Sequence, residues 1–141
     1  MNALVIGCGR VGSAIAHELS RTGWNVVAVD DNEEAFARLG DDWPGRFIVG
    51  HALETEILLD AGIEDADAVV VATDGDNTNL VIAQVAQKRY GVNCVVVRVL
   101  DPARARWYEQ RGLKTVSPTS TAIEVLTNAV RKHEQAASAA S

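Results

Sequence analysis

Six residues near the start constrain the fold more than any others. Gly7-Cys8-Gly9-Arg10-Val11-Gly12 fits the pattern G-x-G-x-x-G. The hexapeptide sits between an apolar run, Ala3-Leu4-Val5-Ile6, and a stretch from Val11 to Arg21 that reads as a helix with Ile15 and Leu19 on one face. In that setting each glycine has a mechanical task. Gly7 permits the tight strand-to-helix turn, Gly9 lets a pyrophosphate approach the backbone, and Gly12 lets the helix pack closely on the strand. The unpaired N–H groups of the helix start and the positive end of its dipole then face the phosphates. Strand, loop, helix and second strand all fall within about thirty residues, the context that makes the pattern informative.

Short β-branched runs alternate with helical segments along the rest of the chain. After Asn25-Val26-Val27-Ala28-Val29 comes an acid-rich helix over Asn32 to Leu39. Arg46-Phe47-Ile48-Val49 leads to a helix from Glu54 to Ala61, and Ala68-Val69-Val70-Val71-Ala72 to one from Asp76 to Tyr90. Val92 to Val99 precedes a helix from Pro102 to Arg111, and a weak sixth run, Leu113-Lys114-Thr115-Val116, precedes a last helix from Pro118 to Glu134. Continuous Val/Ile runs predict strands covered on both faces, and their alternation with helices predicts right-handed crossovers. The expected fold is α/β: a Rossmann-like, doubly wound sheet of about six parallel strands with helices on both faces and a C-terminal crossover helix. Residues 1–117 form the nucleotide-binding domain and 118–134 the last helix. The small residues 135–141 read as a flexible tail or the start of a linker. Ile123, Leu126 and Val130 make an apolar stripe on that helix, for its own sheet or for a second subunit.

Asp30 ends the second run, 18 residues beyond Gly12, where a carboxylate accepts hydrogen bonds from ribose hydroxyls. A helix cap is the alternative, although Asp31 or Asn32 can cap unaided. The neighbouring Asp31 repels a 2′-phosphate, so NADP is disfavoured. Arg10 either clamps a phosphate or is solvated. Cys8 is either a small residue tolerated between glycines or a redox sensor. Thr73 and Asp74 follow the fourth strand, beside the first, and line the nucleotide cleft, while Asp76 or Asn77 caps the next helix. Read as a calcium loop from Asp74, the segment has Asn79 where Gly is required and Val85 where the bidentate Glu belongs, so it is not one. Arg98 is a charge inside an apolar run and needs an acidic or phosphate partner. His51 follows Gly50 where an adenine would lie. Neither His17 nor His133 has a second metal ligand at useful spacing, and no metal is expected. Cys94 reads as a buried small hydrophobe, and two cysteines fit a reducing compartment.

Catalytic patterns are missing: no G-x-S-x-G, no P-loop lysine and no Tyr-x-x-x-Lys. The nucleotide fold also leaves few residues to hold a second substrate, so the expectation is a sensor and not an enzyme. The alternatives are the cofactor half of an NAD-dependent oxidoreductase and a nucleotide-free scaffold. With 13 Lys+Arg against 19 Asp+Glu, a net charge of −6, the chain lacks the basic face that nucleic acid demands. A first apolar stretch this short, with no basic residue before it, is no signal peptide, so a cytoplasmic location is expected.

The ordered set of Gly7 to Gly12, Asp30, Gly50, Ala61-Gly62-Ile63, Asp65-Ala66-Asp67-Ala68-Val69-Val70, Thr73-Asp74 with Asp76-Asn77 and Asn79, Arg98-Val99 and Ser117-Pro118 resembles the TrkA N-terminal (RCK, or KTN) domain family over roughly residues 1 to 131. The resemblance implies a cytosolic regulatory subunit that binds NAD(H) or an adenine nucleotide (AMP, ADP or ATP). It would gate a membrane potassium-translocating subunit and assemble as a homodimer or a higher ring, with the last helix crossing between subunits. It also implies that Gly7, Gly9, Arg10 and Gly12 hold phosphates, Asp30 the ribose, Thr73 and Asp74 the cleft wall, and that Arg98 approaches the phosphates. With their neighbours Cys8, Val11, Asp31, His51 and Ala52 these residues make up the candidate site. Two departures stand out: Gly50-His51-Ala52-Leu53-Glu54 replaces the family's Gly-Asp-x-Thr-Asp, and Thr119 stands where relatives binding ATP with a divalent cation carry Glu. A C-terminal ligand-binding domain normally follows in the family.

Overall fold

Alternate residues of one strand face opposite sides of a sheet, so a strand covered on both faces must be apolar throughout. The first strand is built this way. Leu4 and Ile6 enter one core with Val69, Val71, Leu80 and Ile82. Ala3 and Val5 enter the other, with Ala16, Val26, Ala28, Leu39 and Trp43. The computed structural model, which describes residues 1–140, contains six parallel strands: β1 (Asn2–Ile6), β2 (Asn25–Asp30), β3 (Arg46–Val49), β4 (Ala68–Val71), β5 (Cys94–Arg98) and β6 (Lys114–Val116). Their order across the sheet is β3-β2-β1-β4-β5-β6, with Leu4 beside both Val27 and Val69. The doubly wound fold expected from the sequence is therefore present.

Helix α1 (Arg10–Arg21) covers one face through Ala16, Ile15 and Leu19, with α2 (Phe36–Leu39) beside it. Helices α3 (Thr55–Asp60), α4 (Asp76–Gln84) and α5 (Pro102–Glu109) contribute Leu58, Leu80, Ile82 and Ala105 to the other core. Trp43 closes the α1 side, its indole N–H donating to the Ser20 hydroxyl at 3.0 Å.

Several boundaries differ from the sequence reading, each for a local reason. The helix expected over 32–39 is a 3-10 turn (Glu33–Ala35) followed by the one-turn α2. Asn32 caps it by accepting from the Glu34 amide, and Gly40 at φ 83° ends it. The helix expected to reach Tyr90 is α-helical only to Gln84 and continues as a π turn over Val85–Arg89, whose end lets the Val92 amide bond the Ala86 carbonyl. Cys94 is exposed, not buried, because it opens β5 at the rim of the sheet. The last helix, α6 (Pro118–Ala140), runs six residues past Glu134 through Ala-rich sequence of high helix propensity, replacing the expected tail. None of its residues is buried. Its stripe does not pack on its own sheet, and Ile123, Val125, Leu126 and Val130 are exposed. No helix among the described residues is long and apolar enough to cross a membrane.

Candidate functional site

The strand order reverses between β1 and β4, and ligands of open α/β sheets bind beyond the carboxyl ends of strands at such a point. A cleft of about 570 Å³ opens there, within the range of small-molecule sites. Gly7, Gly9, Asp30, Asp31, His51, Ala52, Thr73 and Asp74 line it, together with Asn32, Arg38 and Gly50.

The three glycines of the loop are glycine for different reasons. Gly7 has φ 93°, and a Cβ there would lie 2.7 Å from the Ala72 carbonyl group. At Gly12 a Cβ would lie 1.7 Å from the Gly7 carbonyl oxygen, so the helix could not sit against the turn. Gly9 has no such constraint. Its φ is −72°, and a Cβ would meet nothing within 4 Å. The protein's own packing does not demand glycine there, whereas a phosphate seated on the backbone would. Above it, the first ladder bond of α1 runs from the Ser13 N–H to the Gly9 carbonyl at 3.0 Å. The amides of Arg10, Val11 and Gly12 precede that bond and point out of the helix start. Such a helix start offers unpaired donors and the positive end of a dipole, which suit an anion.

Asp30 fixes the other half. One carboxylate oxygen accepts the Cys8 amide at 2.7 Å and the other the Asn32 amide at 2.9 Å. It is thus no helix cap; that role falls to Asn32. A carboxylate offers about four lone-pair directions, so acceptor capacity remains toward the cleft for sugar hydroxyls. The Cys8 amide is spent on Asp30 and its side chain is buried. Burial first, and the Asp30 carboxylate second, push its thiol up to about 12, partly offset by Arg38. A thiol so protonated is a poor redox sensor. Among the expected site residues, Cys8, Arg10, Val11, Gly12 and Arg98 do not line the cleft.

Arg98 stands behind the wall rather than in it. Its guanidinium donates to the Thr73 carbonyl at 2.6 Å and to the Asp74 carboxylate at 3.3 Å, with its side chain 17% exposed and that of Asp74 fully so. Its partner is therefore acidic, and its buried Nε has no protein acceptor. Buried Asn79 locks this corner: it accepts from the Thr73 amide and hydroxyl and donates to the Thr73 and Arg98 carbonyls. Asp76 does not cap α4; its carboxylate accepts the Leu100 and Asp101 amides at 2.8 and 3.2 Å. Nor does Asn77, which accepts from Arg104. His51 Nδ1 lies 3.7 Å from Asp31 across the cleft mouth. Among the described residues no three His, Cys, Asp or Glu side chains converge on a metal position.

Sequence reasoning missed Arg38, the one arginine or lysine among the described residues that lines the cleft. It lies eight residues past Asp30, in the one-turn α2 that follows the tight turn at Glu33–Ala35. The signal was a basic residue in the last turn of a very short helix.

The TrkA-N domain profile matches residues 3–119. The Trk system potassium uptake protein TrkA of Streptomyces coelicolor is 40% identical over 117 residues, which are 83% of this chain and 52% of that protein. The chain thus spans about half the length of this relative. The TrkA-N domain of the inner membrane protein ybaL from Escherichia coli superposes with a TM-score of 0.80 at 20% identity, over 90% of this chain and 94% of that one. The Kef C-terminal domain of Shewanella denitrificans in its AMP-bound form superposes with a TM-score of 0.78 at 25% identity, over 93% and 80%.

Proposed function

The chain belongs to the TrkA-N domain family, and from that membership we propose that it is the nucleotide-responsive regulatory part of a Trk- or Ktr-type potassium uptake system. It binds NAD(H) or an adenine nucleotide and gates a membrane potassium-translocating subunit from the cytoplasmic side, without catalysing a reaction. Gly7, Gly9 and the first amides of α1 hold the phosphates, Asp30 the ribose, and Thr73 and Asp74 the wall, with His51 and Ala52 near the base. The AMP-bound relative of the same fold supports an adenosine ligand. The observation that carries the reading is Gly9, a glycine that no packing or dihedral demand explains.

The route from cleft to output runs through the same loops. Asp76 holds the loop after β5 through the Leu100 amide, and the Leu100 carbonyl accepts the Ser117 hydroxyl at the start of α6. α6 is a 23-residue helix without a buried residue, whose apolar stripe serves a second copy of the chain. Ligand binding would shift the arrangement of two copies only if its affinity differs between arrangements. A thermal-shift series with NAD+, NADH, NADPH, AMP, ADP and ATP tests the reading. A saturable rise with an adenine nucleotide is expected, of about 2.7 kcal/mol at a ligand concentration about 100 times Kd, and none with Gly9→Val. No response to any of the six would contradict it.

A further inference from the structure

The net charge of −6 hides a segregation that the strand order turns into geometry. Residues 1–67, which build the β3-β2-β1 half, carry 13 Asp+Glu against 4 Lys+Arg. Residues 68–117, the β4-β5-β6 half, carry 4 against 7. Of those seven cations, Arg98 is held by Asp74 and Arg104 by Asn77. The other five, Lys88, Arg89, Arg106, Arg111 and Lys114, are exposed and form no ion pair among the described residues.

They gather at the amino rim of the sheet, opposite the cleft. Lys88 and Arg89 end the π turn before β5, while Arg111 and Lys114 bracket the turn into β6. Helix α5 joins these parallel strands and so runs back to the same rim, carrying Arg106 in its last turn. Gln87 donates to the Gly112 carbonyl at 3.1 Å, so the two turns abut. Trp107 stands among the cations 49% exposed, with the Arg111 guanidinium 3.3 Å from its ring centre. Glu109 is the one carboxylate of residues 102–117. Asp67, at the amino end of β4, is already engaged by the Asn2 amide.

We infer that this rim docks on an anionic phospholipid surface. Lys and Arg reach headgroup phosphates on long stems, and an indole settles at headgroup depth between them. Five cations on separate elements, none fixed by an acceptor, suit a laterally mobile array of anions better than a rigid set of carboxylates. The acidic half does not cancel the attraction. Strands lie about 4.8 Å apart, which puts β1 about 14 Å from β6, beyond the Debye length of about 8 Å at physiological ionic strength. Its charge instead orients the molecule, basic rim down. The contact lies on the bilayer without spanning it, since no helix among the described residues is long and apolar enough to cross. It stands independently of what the cleft binds.

Co-sedimentation of the full chain with vesicles of phosphatidylglycerol mixed with phosphatidylcholine, and of phosphatidylcholine alone, tests this. The chain binds the mixed vesicles and not the neutral ones, and it is released in 1 M salt, where the Debye length falls to about 3 Å. Binding shifts tryptophan emission to the blue, and Trp107→Phe abolishes the shift. Each cation at such a surface is worth about fivefold in partitioning, so Arg106→Glu with Lys114→Glu weakens binding by at least about 25-fold. Arg131→Glu with Lys132→Glu changes the net charge equally on exposed positions of α6 and weakens binding by less than about twofold. Thermal melts verify that both double variants fold. No binding to the mixed vesicles would overturn the inference and leave an acidic macromolecule as the occupant of the rim. Equal losses in the two double variants, or a blue shift that persists in Trp107→Phe, would overturn it as well.

Discussion

The Asp30 carboxylate accepts the backbone N–H of Cys8 at 2.7 Å, joining two segments 22 residues apart. Through this bond the sugar-binding candidate at the end of β2 also sets the conformation of the phosphate loop. Loop shape and the proposed sugar recognition therefore share one side chain.

Replacing Asp30 should consequently damage both. Asp30→Ala leaves the Cys8 and Asn32 amides without their acceptor and costs about 2 kcal/mol of stability, since bonds to charged groups contribute about 1.5–3 kcal/mol and this one is half-exposed. Asp30→Asn retains one acceptor and loses less. Urea denaturation of both variants, with adenine-nucleotide binding followed in parallel, checks the order: unaltered, Asn, Ala in each measurement.

The two thiols should separate cleanly. Cys94 is exposed and Cys8 buried, so a disulfide reagent at neutral pH modifies one thiol in the native protein and two in denaturant. The Cys8 thiol also links stability to alkaline pH. Its value rises from 9.0 unfolded to about 12 folded. Its contribution is thus complete below pH 9 and is lost between 9 and about 12, as the unfolded thiol ionises first. Cys8→Ser, compared with the unaltered protein across that window, should abolish this component of the decline.

Asn79 is the buried polar residue on which the β4 and β5 ends depend. Asn79→Leu deprives the Thr73 amide of its acceptor and the Thr73 and Arg98 carbonyls of their donor, at a cost of about 2–4 kcal/mol. Chemical denaturation measures the loss. Unchanged stability would show that the corner is held by other contacts.

Helix α6 should be dispensable for the fold and necessary for assembly. Ending the chain at Ser117 removes no buried residue of α6, so the cooperative melt of the sheet domain survives. Light scattering should report a dimer for the full chain and a monomer for both the shortened chain and Leu126→Asp.

The sheet was legible in the residues because buried parallel strands cannot alternate: Ala68 to Val71 and Cys94 to Val97 are apolar runs in sequence and paired strands in space. The glycine loop and Asp30 were legible because their spacing encodes mechanics. What escaped were features fixed by tertiary neighbours. Arg98 reads equally well as a phosphate ligand or an ion-pair partner until the Thr73 carbonyl and Asp74 are seen around it. Arg38 lines the cleft from the one-turn α2, where the sequence reads a longer helix. Asp76 looks like a cap in one dimension, yet it reaches residues 24 and 25 positions away. The apolar stripe of α6 gave no sign of which surface it serves, because a stripe has the same period whether it meets its own sheet or another subunit.

Titrating adenine nucleotides onto the unaltered chain and onto Gly9→Val by calorimetry tests the central claim most directly. A Cβ at position 9 meets no protein atom within 4 Å, so the variant should fold, with its melting temperature lowered only by the loss of glycine at the N-cap of α1. The account predicts micromolar-range binding by the unaltered chain and none by Gly9→Val. Equal affinities for the two proteins would contradict it.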